Sequence, residues 1–418
     1  MNFQPPSRSL TTRDKLFITV VALLIIAVSI GLYFLNLTFP AGGGEILRHW
    51  VGARSFAFDR IDPYSAHVPD VVQKLVYGRN AVSGEKPYIL DTPLHLLLLY
   101  FPLSLLSDPW VVRAIYTLIL EWALFGLAYL SLRLAGWKAP PWIVSLFFLF
   151  SFLNFYSYQA LLEASPVLLL GFFYTGVLLA LRNEQDELAG ALLAVSFYFW
   201  EAGLPFVIFV IWYCYKRGYT RVFAGFGMLT FVLLVSSFLI YPNWLIPYLR
   251  AGMNDLQVGY GFTIVTAFSN LLPAYGQYLA WGILVLLIFS LGYEWSAATR
   301  SDERRFYWVT SLFIASTPLL GLRSEMSNLS ILIIPFVFIL SVISDRWSRM
   351  ANALVFIMLL LVWLMPWVLY LFILPEFEWA ESAIFLLYPI ITVVGLYWVR
   401  WWAIRPPRIW ADELSRIS

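Results

Sequence analysis

The sequence LFITVVALLIIAVSIGLYFLNLTF, residues 16–39, is followed almost at once by the polar sequence GGGEILRHW, residues 42–50. The apolar run exceeds the ~20 residues that an α-helix needs to cross the hydrocarbon core of a bilayer. It is also longer than the ~7–15 apolar residues of a cleavable signal peptide, and no small-residue cleavage pattern precedes Gly42. We therefore predict a retained first membrane helix, with Glu45 placed where that helix leaves the bilayer.

The composition indicates the same class of protein for the whole chain. Of the 418 residues, 61% are hydrophobic and only 12% are charged, whereas an ordinary soluble domain has about 25% charged residues. The net charge of +2 gives no reason to expect a nucleic-acid partner. One cysteine cannot form an intrachain disulfide, and three scattered histidines argue against a zinc site. We predict an all-α polytopic membrane protein in which residues 1–418 form a single domain surrounded by membrane lipids.

Further apolar runs predict the other membrane segments. They lie at residues 92–106, 110–135, 142–158, 162–181, 188–200, 204–215, 222–241, 279–298, 306–320, 327–344, 351–374 and 383–402. Several are too short to cross alone, and an odd total cannot cross if both termini lie on one side. Either 92–106 dips without crossing, or 188–200 and 204–215 form one broken helix. Both alternatives give about twelve crossings.

Basic residues predict which side each loop occupies. They cluster near the N-terminus and at residues 216–221, 300–305, 346–349 and 400–408. Because Lys and Arg in short loops favour the cytoplasmic side, we expect both termini in the cytoplasm, in a bacterial plasma membrane. The polar stretches 42–91, 242–262, 321–328 and 375–381 then face outward. In the first of them, residues 45–58 are predicted to form an amphipathic helix whose apolar side chains lie against lipid.

The first outer stretch and the segments after it carry several short motifs. They are Gly44-Glu45, Trp50, Gly52-Ala53-Arg54, Asp62-Pro63-Tyr64, Thr92-Pro93-Leu94 and Phe101-Pro102-Leu103, with looser matches at Gln159, Ala189-Gly190, Pro205, Thr317-Pro318 and Ile334-Pro335. In this order they resemble glycosyltransferase family 87. The resemblance extends over roughly residues 16–340. That family consists of polytopic enzymes of the GT-C fold that use polyprenyl-phosphate sugars, among them mannosyltransferases.

The resemblance implies a GT-C-like fold and a transfer reaction outside the membrane. A hexose, with mannose favoured, would pass from a polyprenyl-phosphate donor to a lipid or glycan acceptor. No cofactor is firmly implied, and a divalent metal stays open. The chain departs from the family pattern at three places: Glu45 replaces the family's Asp, Trp200-Glu201 replaces Lys-Pro, and Arg323-Ser324-Glu325 replaces a motif that contains His.

The residues of the first outer stretch also suit this chemistry on their own. Transfer of a sugar needs a carboxylate to take the proton of the acceptor hydroxyl, and cations to hold the leaving phosphate. We predict Glu45 as the catalytic base. For the donor phosphate we predict Arg48, Arg54 and Arg323, because the planar guanidinium group matches phosphate geometry. A solvated helix cap stays open for Glu45, and plain lipid anchoring stays open for Arg48 and Arg54.

Further polar residues are candidates for the substrate pocket. They are His49, Trp50, Tyr64, Asp91, Gln159, Glu201, Arg250, Asp255 and Glu325. Structural roles remain open for them. Asp91 suits a helix N-cap, Glu201 suits an interhelical hydrogen bond, and Glu325 suits a local ion pair with Arg323. Arg250 and Asp255 lie on an outer segment that either covers the acceptor or forms a solvated interfacial helix.

Two other classes of function stay open. A transporter or lipid flippase uses buried carboxylates for coupling, although such proteins more often show repeat symmetry, which we do not detect in this sequence. A glycosyltransferase-like subunit without catalytic activity is also compatible with the replacement of the family's Asp by Glu45.

Overall fold

The computed structural model describes residues 12–38, 42–82, 84–197, 200–347 and 350–405, with the side chains of Thr12, Trp200 and Glu201 excepted. It is 80% helical, and the described residues form no β-strand. Seven of the described helices are long and apolar enough to cross a membrane, or eight if one bent pair counts as a span. The chain is therefore an all-α, multi-pass membrane protein.

The α-helices are numbered in chain order. They are α1 (Thr12–Thr38), α2 (Gly44–Arg54), α3 (His67–Tyr77), α4 (Leu94–Leu97), α5 (Phe101–Ser104), α6 (Pro109–Ala135), α7 (Pro141–Leu153), α8 (Phe155–Leu162), α9 (Val167–Arg182), α10 (Asp186–Ser196), α11 (Trp200–Arg217), α12 (Thr220–Ile240), α13 (Leu245–Val258), α14 (Ile264–Leu271), α15 (Gly276–Ala298), α16 (Glu303–Ser316), α17 (Ile333–Arg346), α18 (Ala351–Val368) and α19 (Trp379–Ala403). Short 3-10 turns occur at Leu98–Tyr100, Thr317–Leu319 and Met326–Leu332, and π-helical turns at Ser55–Asp59 and Leu369–Ile373.

Helices of membrane length occur where the sequence predicts long segments. They are Arg13–Thr38, Pro109–Ala135, Thr220–Ile240, Gly276–Ala298, Met326–Arg346, Ala351–Ile373 and Trp379–Ala403, and the pair α7 and α8 meets at 46°. Other predicted segments fold as shorter helices. The run at 92–106 becomes α4, a 3-10 turn and α5: Pro93 is extended and precedes α4, and Pro102 lacks the N–H that would continue the helical hydrogen bonds. The multi-pass architecture is confirmed, and the figure of about twelve crossings stays a prediction.

The two alternatives for the odd segment are not decided by the helix bounds. α10 and α11 are separate helices, and residues 198–199 between them lie outside the described residues. α10 packs mainly against α9 and α12.

Helix α1 lies along α6 at the outside of the helical bundle. The Asn36 side chain donates to Glu121 Oε2 at 3.3 Å, and Arg113 donates to the Asn36 carbonyl at 2.8 Å. Nearer the middle of α1, the Trp122 indole donates to the Ser29 hydroxyl at 3.1 Å. Residue numbers rise along one helix as they fall along the other, so the two helices are antiparallel. The end of α1, and with it the start of α2, therefore lies at the Pro109 end of α6.

The basic loops meet at the opposite end of the bundle. Arg182 donates to the carbonyl oxygens of Arg133 and Leu134, at the far end of α6 from Arg113. In the same way Arg217 donates to the carbonyl of Ser301, and Arg304 donates to that of Arg405. A buried carboxylate, Glu294 of α15, pairs with Arg305 at 2.8 Å and with Arg400 at 2.6 Å, which ties α16 and α19 to α15. One end of the bundle is thus basic, and the other carries α2, α3 and α4.

The sidedness can be tested by labelling introduced cysteines with an impermeant thiol reagent in intact cells. We expect Asn80→Cys, exposed in the first outer stretch, to react, and Arg300→Cys, exposed after α15, to react only after lysis. The background should carry Cys214→Ala, which removes the native buried cysteine. The reverse pattern would place the α2 end in the cytoplasm.

Candidate functional site

The site begins at the first turn of α2, which two glycines dock against the turn after α8. Gly42 and Gly43 have φ values of 93° and 84°, in the left-handed region that favours glycine. A Cβ on Gly42 would lie 2.0 Å from the carbonyl oxygen of Leu162. The N–H of Gly43 donates to that same carbonyl at 2.8 Å, and the N–H of Glu45 donates to the carbonyl of Glu163 at 3.2 Å. The position of Glu45 is therefore fixed by the backbone.

Helix α2 is buried in the protein, contrary to the prediction that its apolar side chains lie against lipid. Leu47 and Val51 are buried, and α2 packs against α3, α5 and α6. Within residues 45–58, only Phe58 is exposed, and it lies in the π-helical turn after α2. The long outer stretch folds back over α2 and supplies the apolar partners that the sequence analysis assigned to the membrane.

Both oxygens of the Glu45 carboxylate bind cations. Oε2 lies 2.8 Å from Nη2 of Arg48, one helical turn along α2, and Oε1 lies 2.7 Å from Nζ of Lys86. Glu45 is 4% exposed. Burial alone raises the pKa of this carboxyl, but the positive charges of Arg48 and Lys86 outweigh burial and hold the pKa at about 2. Glu45 is therefore ionised at physiological pH.

Each of these two cations also binds a second carboxylate. Arg48 Nη1 lies 2.8 Å from Oδ1 of Asp91 and donates to the Ile89 carbonyl at 2.8 Å. Lys86 forms its second ion pair with Glu325. Burial lowers the pKa of the Lys86 ammonium, but Glu325 and Glu45 raise it well above its usual value. We call the resulting series, Asp91, Arg48, Glu45, Lys86 and Glu325, the charge network.

Two further carboxyl groups border the charge network. Burial raises the pKa of Glu163 to about 8; Glu325 and Glu45 add to this increase, and Lys86 opposes it. The Glu163 side chain is partly exposed, but its Oε2 atom is buried. Burial and the negative charge of Asp91 raise the pKa of Asp255 to about 6. Glu163 therefore keeps its proton at neutral pH, because burial outweighs the attraction of Lys86.

His49 is neutral and contacts the backbone of Glu45 and the side chain of Thr92. Its Nδ1 lies 2.6 Å from the Glu45 carbonyl oxygen and its Nε2 lies 2.8 Å from the Thr92 hydroxyl oxygen. Because a carbonyl only accepts, Nδ1–H is the donor and Nε2 accepts from Thr92. Burial and the charge of Arg48 lower the pKa of His49 to about 4. With both nitrogens engaged, His49 links α2 to the segment before α4.

A small polar cavity adjoins the charge network. It encloses about 70 Å³ and is lined by Glu45, Arg48, Asp91 and Glu325 on one side and by Val167 and Leu170 of α9 on the other. This volume holds only a few water molecules. A sugar therefore needs the site to open before it can reach Glu45.

A larger apolar groove lies on the other side of the segment that contains α4. It encloses about 840 Å³. Phe56, Ile61, Leu98, Phe101 and Ile240 line it, with Arg60 and Asp62 at the same site. Leu96 borders the polar cavity and Leu98 borders the groove, so the two spaces are separated by a few residues of one segment. Ile240 ends the membrane-length helix α12, which places the groove at the membrane boundary.

Arg54 and Trp50 lie away from the charge network. Arg54 Nη1 donates to the carbonyl of Ser104 at 2.8 Å and to that of Leu106 at 3.3 Å. Trp50 donates to the Leu106 carbonyl at 3.2 Å, and the Arg54 guanidinium lies 5.8 Å from the centre of its ring. These two predicted site residues hold the turn after α5. Tyr64 also makes a backbone contact, donating to the Thr92 carbonyl at 3.0 Å.

Arg323 lies beside the network but makes a different contact. Its Nη1 donates to the Leu256 carbonyl near the end of α13, at 2.7 Å. Glu325 forms its ion pair with Lys86, not with Arg323 as the structural alternative had it. The backbone of Ser324 exchanges two hydrogen bonds with Phe262, at 2.9 and 2.8 Å. These contacts dock α13, which carries Asp255, over the turn at 321–325.

The remaining predicted residues are placed elsewhere or not described. Arg250 is exposed on α13, and Gln159 is half-buried in α8. The side chain of Glu201 lies outside the described residues, although its backbone belongs to α11. Two residues of the site were missed: Lys86 and Glu163. Lys86 stands in the same outer stretch as Glu45, just before the next apolar run, which is the only sequence signal that could have indicated it.

No family model, no curated protein and no solved structure matches this chain. The resemblance to glycosyltransferase family 87 therefore stays a prediction. Within the described part of the chain, no group of three or more His, Cys, Asp or Glu side chains is arranged to hold a metal ion. A function has to be argued from the charge network, the cavity and the groove.

The raised pKa of Glu163 predicts the effect of Glu163→Gln on stability. An unfolded glutamate loses its proton near pH ~4.3, whereas the folded protein keeps the Glu163 proton up to about pH 8. Between pH ~4.3 and about pH 8, the folded protein therefore binds one more proton than the unfolded protein. The free energy of unfolding falls as pH rises through this range. We expect Glu163→Gln to raise the thermal midpoint by ~2 °C or more near pH 9, with little effect near pH 5. An equal effect at both pH values would contradict the proposed protonation state.

Proposed function

We propose that the protein is a membrane glycosyltransferase that moves a hexose from a polyprenyl-phosphate donor to a lipid or glycan acceptor at the outer face of the membrane. One observation carries this proposal. A buried carboxylate, Glu45, lies between two cations at the membrane boundary, next to an apolar groove. This arrangement supplies a base, a phosphate site and a place for a lipid chain in one region.

Arg48 and Lys86 are the cations that we assign to the donor phosphate. Each lies within 2.8 Å of Glu45. Arg48 lines the polar cavity together with Glu45 and Glu325, the two carboxylates that Lys86 contacts. A guanidinium group binds phosphate through two parallel hydrogen bonds, and an ammonium adds a point charge. They replace Arg54 and Arg323 of the sequence prediction, because the contacts of those two guanidinium groups are to backbone carbonyls outside the charge network.

The apolar groove supports a lipid-linked donor. A polyprenyl chain is apolar along its length and needs an apolar surface where it leaves the bilayer. The groove offers about 840 Å³ beside the end of α12, a few residues from the polar cavity. A donor with its chain in the groove would have its phosphate near Arg48. Mannose as the transferred sugar follows from the family resemblance alone.

The reaction assigns one role to each group. The acceptor hydroxyl gives its proton to the Glu45 carboxylate as its oxygen forms a bond to C1 of the sugar. The bond between C1 and the phosphate oxygen breaks, and its electron pair leaves with the polyprenyl phosphate. Arg48 and Lys86 stabilise the negative charge that grows on this phosphate. The proton, the sugar and the electron pair are thereby all accounted for.

A direct test follows sugar label in lipid nanodiscs. The purified protein is incubated with polyprenyl-phosphate mannose or glucose, labelled in the sugar, and with extracted membrane lipids and glycans as acceptors. We expect label from one donor to leave the polyprenyl lipid and appear in a new product. If label stays on the donor with both sugars, the enzyme proposal is wrong. Movement of intact labelled donor between the leaflets of proteoliposomes would instead support a flippase.

Replacing the base should separate chemistry from binding. We expect Glu45→Gln to lower the transfer rate at least ~100-fold, because the amide keeps the shape of the side chain but cannot accept the proton. Donor binding should remain. Glu85→Gln is the matched control, since Glu85 stands in the same outer stretch and pairs with Arg79 at the surface. A transfer rate in Glu45→Gln equal to that of the control would remove Glu45 from the mechanism.

Removing the lysine should act mainly on the donor. We expect Lys86→Met to raise the donor concentration needed for half-maximal rate by ~10-fold or more, the equivalent of ~1.4 kcal/mol of lost binding. Lys74→Met, on the exposed face of α3, is the control for loss of a positive charge. An unchanged donor dependence with a lowered thermal midpoint would show that Lys86 acts only in folding.

A further inference from the structure

The groups that would bind a donor are all engaged with one another in this structure. Arg48 binds Glu45 and Asp91, and Lys86 binds Glu45 and Glu325. The cavity beside them encloses only about 70 Å³. A donor phosphate that takes the position of Asp91 on Arg48 or of Glu325 on Lys86 therefore has to replace a carboxylate. In this arrangement the protein's own acids neutralise both cations.

The two outer carboxylates of the network differ in how firmly they are held. Asp91 belongs to a segment anchored at the next residue, because Thr92 binds both His49 and Tyr64. Arg48, its partner, is also tied to the carbonyl of Ile89 in that segment. Asp91 and Arg48 are therefore fixed to each other by local backbone contacts.

Glu325 is held differently. It stands between two 3-10 turns, directly after Ser324, whose backbone is bonded to Phe262. Its contact with Lys86 joins residues 239 positions apart in the chain. The side chain is 20% exposed, close to the 22% of Asp91, so both carboxylates have a path to solvent. Of the two carboxylates, Glu325 is the one that pairs with its cation across two separate segments through side chains, so rotation of its side chain is enough to release Lys86.

We propose that Glu325 occupies the phosphate position on Lys86 while the site is empty, and that the phosphate of a polyprenyl-phosphate donor displaces it. This inference rests on the proposed function and adds an order of binding to it. A carboxylate and a phosphate oxygen are interchangeable as partners of an ammonium group. The donor therefore exchanges one ion pair for another, and no cation is left buried and unpaired.

Displacement of Glu325 also changes the state of the base. At present Arg48 and Lys86 bind both oxygens of Glu45, and its pKa of about 2 makes it a weak proton acceptor. A phosphate placed on Lys86 carries more negative charge, once its bond to C1 begins to break, than the Glu325 carboxylate it displaces and repels Glu45, which raises the affinity of Glu45 for a proton. Donor binding thus activates the base, and the acceptor reacts only after the donor has bound.

Glu325→Gln gives the sharpest test, because the expected direction is unusual. If Glu325 competes with the donor, the variant should bind farnesyl phosphate at least ~5-fold more tightly than the wild-type protein, since an amide competes less strongly for Lys86. Binding is measured with the full chain in nanodiscs. Glu85→Gln, the exposed acid of the same outer stretch, should bind like wild type. Weaker or unchanged binding in Glu325→Gln would overturn the proposal, because it would show that Glu325 only orients Lys86.

A second measurement uses the wild-type protein and does not depend on the variant folding. A carbodiimide joins an amine and a carboxylate in contact, so the empty protein should give a cross-link between Lys86 and Glu325 that mass spectrometry detects. Farnesyl phosphate should suppress this cross-link, and the cross-link between other pairs should be unaffected. A cross-link that persists at saturating farnesyl phosphate would overturn the displacement.

Inorganic phosphate distinguishes the two sources of the same ligand chemistry. Suppression by farnesyl phosphate at concentrations where inorganic phosphate has no effect assigns the position to a lipid phosphate. Equal suppression by both overturns the lipid part of the proposal. These binding results are independent of sugar transfer: displacement without transfer contradicts the enzyme alone, whereas transfer without displacement contradicts this inference alone.

Discussion

The buried ion pairs of Glu45 are the interaction on which the rest of the site depends. A carboxylate that is 4% exposed is stable as an ion only if cations and hydrogen bonds replace the water it has lost. Arg48 comes from the same helix, but Lys86 has to be brought back by the whole outer stretch between them. The glycine turn at 42–43, the buried apolar face of α2 and the contacts of Thr92 therefore all serve one geometry.

The position of α2 at the end of the first membrane helix adds a second constraint. A polar cavity and an apolar groove lie on opposite sides of the segment from Thr92 to Phe101, next to the end of α12. A ligand that uses both spaces needs a charged head joined to a long apolar chain, which is the chemistry of a lipid phosphate. A soluble anion would use the cavity alone, and an ordinary apolar molecule would use the groove alone. The adjacency of the two spaces is therefore more specific than either one.

Sequence reasoning succeeded where local periodicity carries the information. The sequence predicts the first membrane helix at residues 16–39, and in the structure this helix is Thr12–Thr38. Arg48 follows Glu45 by three residues, which places both on one face of a helix. Arg54 follows it by nine, about half a turn out of phase, so the helix directs it to the opposite face, towards Leu106. Lys86 contacts Glu45 from 41 positions further along the chain, and Glu325 contacts Lys86 from 239 positions further along. No local pattern in the sequence encodes contacts over such separations.

The network gives a physical reason for Glu45 at a position where the family that the sequence resembles has Asp. The carboxylate has to contact Arg48 of its own helix and Lys86 of a returning segment at once, at 2.8 and 2.7 Å. A shorter side chain would retract the carboxylate by about one C–C bond length, ~1.5 Å, and so would lose one of the two contacts unless the outer stretch moved inward. The longer side chain and the lysine therefore form a matched pair, and a chain with Asp at this position would need its second cation closer to α2.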